Sequence, residues 1–311
     1  MTQSSVLILG ANGRLGSALN DAFSRRGWRV IAQSRQRNAA RQTARVIGDM
    51  RDVDTVVKSA IATGRVDVVI HAANVIYTRW AVEAIALNDA AIRIAKALGA
   101  TLMLPGNVYN FGTDLPERLD ATTPQLGQTS KGQIRVAMER ALEVAAEQGT
   151  QSIVIRAGDF FGSGTGSWLD QAIVKDIQKG KLTYPGPLHA LHAWAYLPDL
   201  AETFVNVAEA RRTLARFENI HFAGHAVTGY EFVKTIEQFA PRPLKLATMP
   251  WWLIRTVGVV KPPWRDLAEM SYLWQRPHQL VTSASHAPLI AATTPLERAL
   301  QASLAALHPG L

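Results

Sequence analysis

The sequence predicts an α/β protein with a doubly wound parallel sheet, followed by a smaller C-terminal α/β lobe. Two observations support this fold class. Short apolar runs alternate with helix-patterned segments between residues 5 and 156. A glycine-rich turn joins the first of these runs directly to the first helical segment, as parallel strand–helix–strand units require.

The glycine turn lies between the first predicted strand, residues 6–9, and the first predicted helix, residues 15–26. Its three glycines stand at three-residue intervals. The first permits the turn, the second lets a phosphate approach the backbone, and the third lets the helix pack closely on the strand. Because the turn collects backbone N–H groups at a helix N-terminus, it predicts a site for a dinucleotide pyrophosphate. The residues assigned to this site are Gly10, Asn12, Gly13, Arg14, Leu15 and Gly16.

The motif therefore predicts a Rossmann-type dinucleotide-binding domain at residues 1–157 and a substrate-binding lobe at residues 158–311, which partly returns to the main sheet. In the second part, the glycine-rich loop at residues 162–166 is interpreted as a lid rather than a second phosphate loop. Four tryptophans lie within residues 251–274. Two short helices that close the lobe are the favoured interpretation of that segment. A hydrophobic lid, a dimer surface and a membrane-surface helix are the alternatives.

The residues after the second predicted strand indicate which dinucleotide binds. Sites that select NAD place an acidic residue there, but residues 33–37 contain none. An arginine can bind a 2′-phosphate through two hydrogen bonds, whereas a carboxylate would repel it. We therefore expect NADP, with Arg35 on the phosphate and Ser34 and Arg37 as further candidates. A solvated basic loop beside bound NAD is the alternative.

Further cofactor contacts are predicted near later strand ends. Asp49 and Met50 follow the third predicted strand, where the adenine is expected. The small side chains of Ala72 and Ala73 leave room for the cofactor beyond the fourth strand. Asn88, a polar residue among alanine and leucine neighbours in a predicted helix, is an additional candidate.

Composition narrows the chemistry. The 311 residues include no cysteine, which excludes disulfides, thiol catalysis and cysteine metal sites. The net charge of +8 suits an anionic ligand, yet the basic residues are scattered and form no nucleic-acid motif. No apolar run is long enough to span a membrane, and no signal peptide is evident. We therefore expect a cytoplasmic protein with a small-molecule substrate and without a metal, nucleic-acid or membrane partner.

Several segments carry a family resemblance: GANGRLG, VIHAAN, NVYNFG, VIRAGDFFG and AWAYLPDLA. Together they resemble the extended short-chain dehydrogenase/reductases, and more narrowly the NAD(P)-dependent epimerase/dehydratase group. The resemblance implies a catalytic set of Ser or Thr, Tyr and Lys, in which the tyrosine acts as acid or base and the lysine follows four residues later. It also implies a homodimer.

The chain departs from that catalytic set. The resemblance aligns Lys131 with the tyrosine and Arg135 with the lysine, while Asn107 replaces the serine or threonine. Arg135 keeps the ability to hold the nicotinamide ribose. Lys131 and Tyr109 remain as two alternative proton donors. Two functions stay open: a reductase or epimerase-like enzyme with a non-standard acid/base, and an NADP-binding redox sensor with little or no catalysis.

Overall fold

The computed structural model describes residues 3–36 and 44–309, so Arg37 lies outside the described residues. The helices of this part are α1 (Arg14–Arg25), α2 (Val53–Ala62), α3 (Trp80–Leu98), α4 (Ser130–Glu147), α5 (Leu197–Ala210), α6 (Gly229–Glu237), α7 (Trp251–Gly258), α8 (Pro262–Glu269), α9 (Ser271–Gln275) and α10 (Leu296–Leu307). The strands are β1 (Ser5–Leu9), β2 (Arg29–Ser34), β3 (Ala44–Ile47), β4 (Val68–His71), β5 (Thr101–Gly106), β6 (Arg118–Leu119), β7 (Ser152–Arg156), β8 (Asp159–Phe161), β9 (Lys181–Tyr184), β10 (Leu191–Tyr196), β11 (Phe217–His221), β12 (His225–Thr228), β13 (Lys245–Thr248) and β14 (Gln279–Leu280).

The main sheet has seven parallel strands in the order β11-β7-β5-β4-β1-β2-β3. The strand order reverses beside β1, and this is where doubly wound sheets open a crevice at the carboxyl ends of their strands. Leu9, the last residue of β1, pairs with Gln33 on one side and with His71 on the other. The glycine turn and the ends of β2 and β4 therefore meet at one edge, and the predicted fold class is confirmed.

Both faces of the sheet are buried, as a parallel sheet requires. One apolar cluster joins the sheet to α1 and α5, and the other joins it to α2, α3 and α4. The sixth predicted strand, residues 152–156, is observed as β7. Downstream, β11 adds to the sheet beside β7, so the chain returns to the main sheet after residue 158.

A third apolar cluster is rich in aromatic rings and packs together β8, β9, β10, α6, α7, α9 and α10. Trp274 lies at its centre: its ring stacks on His192 with 4.1 Å between centroids and meets Trp168 edge-on at 5.1 Å. Trp168 in turn contacts Trp251, with ring centroids 6.2 Å apart. Two short helices were predicted for residues 251–274, but three are observed, α7 to α9, because the chain turns at Met270 between α8 and α9.

Candidate dinucleotide and substrate cleft

A cleft of about 1150 Å³ opens at the carboxyl ends of the main-sheet strands. It is larger than the roughly 300–1,000 Å³ of a site for one drug-sized ligand, so it has room for a dinucleotide beside a small substrate. Most of the residues singled out from the sequence line it: Gly10, Asn12, Gly13, Arg14, Leu15, Ser34, Arg35, Asp49, Met50, Ala72, Ala73, Asn107, Tyr109 and Arg135. The cleft lining does not include Gly16, Asn88 or Lys131.

The glycine turn has the shape that a pyrophosphate needs. Gly10 adopts φ +81°, and a Cβ on it would lie 2.5 Å from the Ala73 Cα. Gly16 stands behind the turn, where a Cβ would overlap the Gly10 carbonyl oxygen, so it sets the close approach of α1 rather than lining the cleft. Because α1 begins after Gly13, the N–H groups of its first turn have no side-chain cap, and that turn holds no acidic residue. These features fit a dinucleotide phosphate.

The end of β2 is held in place by the Gln33 side chain. Its Oε1 accepts from the Gly10 N–H at 3.1 Å, and its Nε2 donates to the Gly48 carbonyl at 2.7 Å. Ser34 Oγ donates to the Gln36 carbonyl at 2.6 Å, and Asn12 Nδ2 donates to the same oxygen at 3.0 Å. The glycine turn, β2 and the start of the following loop thus form one connected wall of the cleft.

Positive charge borders this wall. Arg35 is exposed and lines the cleft beside Asp49 and Arg51. A side-chain hydrogen bond from Arg51 is the main cause that lowers the pKa of Asp49 to about 2, and Arg35 adds to the effect. The Asp49 carboxylate is therefore ionised and paired with Arg51, and the exposed Arg35 adds a positive charge at the cleft.

The other end of the cleft holds polar groups suited to a substrate. Asn107 Oδ1 accepts from the Tyr109 N–H at 3.1 Å and so fixes the turn after β5. Tyr109 is buried, and its ring lies 6.1 Å from that of Trp80. Arg135, on α4, donates to the Pro105 carbonyl.

His71, at the end of β4, adds a neutral polar group to the cleft lining. Burial, and to a lesser degree the nearby Arg135, lowers the pKa of His71 to about 3, so the imidazole is uncharged at neutral pH. Its Nδ1 is buried and has no hydrogen-bond partner among the described residues. No sequence pattern predicts a ligand contact for His71, because a histidine at the end of a strand is usually packed in the core.

Lys131 and Asn88 lie behind the cleft wall. The Lys131 ammonium is buried one turn before Arg135 and forms ion pairs with Glu269 at 2.5 Å and Asp266 at 3.3 Å, which tie α4 to α8. Asn88 faces α4 from α3, where its Nδ2 donates to the Met138 carbonyl at 3.2 Å. Each side chain thus connects secondary-structure elements beside the cleft.

Asp159 is a cleft residue that sequence reasoning missed. It directly follows the turn after β7, lines the cleft, and accepts a hydrogen bond from His192 Nε2 at 2.8 Å. Parallel pairing of β8 with β10 brings these two residues together across 33 positions of sequence, which no local pattern reveals. A carboxylate just beyond a parallel strand was the one available signal.

The glycine loop at residues 162–166 lies against the glycine turn, with Gly164 beside the Arg14 side chain. The C-terminal end of this loop is held by Asp170, whose carboxylate accepts hydrogen bonds from the N–H groups of Gly166 and Ser167. Burial opposes ionisation of Asp170, but these hydrogen bonds outweigh it and lower the pKa below its usual value. An internal carboxylate already occupies these N–H groups, which argues against a second phosphate site.

Across residues 3–36 and 44–309, no three side chains of the metal-ligating types are grouped closely enough to hold a metal ion. Within the same ranges, none of the helices is both long and apolar enough to pass through a bilayer.

Comparisons with known proteins agree with this fold. A curated 3-diazoavenalumate denitrifying reductase from Streptomyces sp is 23% identical over 299 residues, which cover 88% of this chain and 96% of the relative. L-threonine dehydrogenase from Phytophthora infestans superposes with a TM-score of 0.79 at 17% identity, covering 99% of this chain and 100% of the other. The Bordetella bronchiseptica enzyme WbmH, solved in complex with NAD+, superposes with a TM-score of 0.72 at 16% identity, covering 98% of both chains.

The family model described as the NAD dependent epimerase/dehydratase family matches residues 6–221. This span runs from β1 to the end of β11 and includes the glycine turn and most of the cleft. It confirms the resemblance inferred from the sequence motifs. The chain belongs to the NAD-dependent epimerase/dehydratase family.

Proposed function

We propose that this protein is an NADP(H)-dependent oxidoreductase that reduces a small carbonyl-type substrate or oxidises the matching alcohol. One observation carries the proposal: a single cleft joins the glycine turn and Arg35 at one end to Asn107, Tyr109 and Arg135 at the other. The bound cofactor supplies the hydride, so the protein must bind, orient and exchange a proton with the substrate. In this proposal the lobe at residues 158–311 supplies the substrate contacts. The curated relative from Streptomyces sp is a reductase, which supports reduction over epimerisation.

Tyr109 is the proton donor in this proposal. Tyr109 lines the cleft, and Asn107 fixes the turn that carries it. Lys131 is the less suitable candidate, because two carboxylates hold its ammonium outside the cleft lining. Arg135 stays protonated, so its role is to donate hydrogen bonds, which suits ribose hydroxyls.

Replacement of Tyr109 by phenylalanine is expected to lower kcat roughly 10²–10⁴-fold, the usual contribution of a positioned general acid. NADPH affinity should change little, because only a hydroxyl is removed. Oxidation of NADPH would be followed with aldehydes, ketones and 3-diazoavenalumate as substrates. The matched control is Tyr184→Phe, which removes another buried tyrosine hydroxyl outside the cleft lining.

The variant Lys131→Met distinguishes between the two candidate proton donors, Lys131 and Tyr109. If Lys131 is the acid, this variant loses turnover while Tyr109→Phe keeps it, and the assignment to Tyr109 is wrong. A third result bears on the alternative function. Tight NADPH binding by the wild-type chain, with no turnover of any substrate in the panel, would favour the redox sensor.

The choice of NADP over NAD depends on Arg35. Arg35→Ala is expected to weaken NADPH binding roughly 10- to 100-fold, because a charged hydrogen-bonding partner of the 2′-phosphate contributes about 1.5–3 kcal/mol. NADH binding should stay within about threefold of wild type by the same reasoning, because NADH has no 2′-phosphate. Titration calorimetry measures both. Arg93→Ala, an exposed arginine outside the cleft lining, is the control. Equal losses for NADPH and NADH would remove the basis for NADP preference.

A further inference from the structure

The C-terminal lobe carries an exposed apolar surface on one helical hairpin, formed by α7, residues 259–261 and α8. Fourteen large hydrophobic side chains are exposed among the described residues, and five of them lie between residues 252 and 264. The exposed fractions are highest at Val259 (80%), Val260 (77%) and Trp252 (71%). Isolated exposed apolar residues need no explanation, but a contiguous group on one element marks an interaction surface.

The hairpin is anchored to the lobe, so this exposure does not reflect a detached segment. Trp251 and Ile254 on the inner side of α7 are buried in the aromatic cluster, and Trp251 Nε1 donates to the Pro185 carbonyl at 2.6 Å. The two helices cross closely at Gly258, where a Cβ would lie 2.9 Å from the Arg265 backbone nitrogen. The outer side is thus presented on a packed support.

The charged residues of the hairpin also differ between its inner and outer sides. Its two acidic residues, Asp266 and Glu269, both bind the buried Lys131 ammonium. Its basic residues, Arg255, Lys261 and Arg265, are all exposed. The outer surface therefore combines tryptophan and valine side chains with positive charge alone, the composition of helices that lie in the interface of an anionic membrane.

We propose that the outer side of this hairpin binds the surface of an anionic lipid bilayer, with Trp252, Val259 and Val260 in the interface. A second copy of the chain is a poorer occupant. In a two-fold contact the same patch meets itself, which would bring the cationic side chains of the two copies together. An anionic surface instead attracts every exposed charge of the hairpin. The proposal differs from the expectation of no membrane partner that was drawn from the sequence.

The contact also concerns the cleft, because Pro263 and Leu267 of α8 line it. Binding through the hairpin would hold one wall of the cleft next to the lipid surface. The proposal does not depend on the redox chemistry, and its test uses no substrate.

The test is sedimentation of the full-length protein with vesicles of equimolar phosphatidylglycerol and phosphatidylcholine, and with vesicles of phosphatidylcholine alone. The wild-type chain should bind the anionic vesicles and lose binding as salt is raised. The double variant Trp252→Ser/Val260→Ser should bind roughly tenfold more weakly or worse, because two apolar side chains no longer enter the interface. Lys261→Gln/Arg265→Gln should lose the preference for anionic vesicles.

Ile61→Ser, which alters an exposed apolar residue on α2, is the matched control and should bind as the wild type does. Since the chain has no cysteine, Val259→Cys can carry a single polarity-sensitive dye, whose emission should shift to the blue only with anionic vesicles. The proposal is wrong if anionic vesicles bind no more protein than neutral ones, or if the double variant binds normally. It is also wrong if the double variant instead abolishes self-association in sedimentation equilibrium.

Discussion

Replacement of Gly10 by alanine is expected to weaken NADPH binding by about 100-fold or more. The new Cβ would lie 2.5 Å from the Ala73 Cα and 2.6 Å from its backbone nitrogen, and both are main-chain atoms that cannot rotate away. The turn or the end of β4 must then move. Either shift displaces N–H groups that would contact phosphate, and two charged hydrogen bonds of about 1.5 kcal/mol each account for a factor of that size. Titration calorimetry measures the loss.

Gly27→Ala is the matched control for this variant. Gly27 has φ +76°, nearly the backbone conformation of Gly10, but a Cβ there would meet nothing within 4 Å. The control therefore carries the same left-handed strain, about 1–2 kcal/mol, without the overlap. It should melt at a lower temperature yet bind NADPH normally. Near-normal binding by Gly10→Ala would mean that the turn does not contact the cofactor.

The second large effect is expected at Arg156. Its side chain is fully buried at the end of β7, where Nη2 pairs with Glu139 Oε2 at 2.5 Å and Nε donates to His221 Nε2 at 3.3 Å. Nη1 also donates to the Asn107 carbonyl, in the turn that carries Tyr109. Arg156→Met should lower the free energy of unfolding by about 3–5 kcal/mol, because Glu139 would remain buried without its counter-charge. Urea unfolding measures this loss.

Two comparisons isolate the buried ion pair. The double variant Arg156→Met/Glu139→Met should recover part of the loss, since neither charge then remains unpaired. Arg25→Ala, which removes an exposed partner of Glu202, should change stability by less than about 1 kcal/mol. If the Arg25 and Arg156 variants lost similar amounts of unfolding free energy, burial of the Arg156–Glu139 pair would not explain the effect.

The fold was predictable because apolar runs and glycines report local structure directly. The six main-sheet strands of residues 5–156 and the glycine turn could be identified from the sequence, and the fold class follows from the alternation of these strands with helices. The predicted number of short helices in residues 251–274 was wrong, because the chain turns at Met270 between α8 and α9 and no glycine or proline marks that break. The three-stranded sheet of β8, β10 and β12 was not predicted, because its pairings join residues more than 30 positions apart in the sequence, such as Asp159 with Trp194 and Leu191 with Thr228.

The cleft was predictable where one turn or one strand end supplies the residue, as for Arg14, Ser34 and Ala72. Prediction was weaker for side chains whose role depends on which helix face turns inward. Asn88 and Lys131 are both polar residues near the cleft, but each points to a neighbouring element. Asp159 and His192 meet only through β8–β10 pairing, so their contact required the three-dimensional structure.

The aromatic cluster around Trp274 has a spectroscopic consequence. Trp168 lines the cleft, and its ring is in contact with those of Trp274 and Trp251. Excitation energy passes readily between indole rings at such separations, and reduced nicotinamide absorbs light where tryptophan emits. A reduced dinucleotide in the cleft would therefore quench the fluorescence of several tryptophans, because their excitation energy would reach it through Trp168. Tryptophan fluorescence would thus report, without an added label, whether the cleft holds a dinucleotide and whether that dinucleotide is oxidised or reduced.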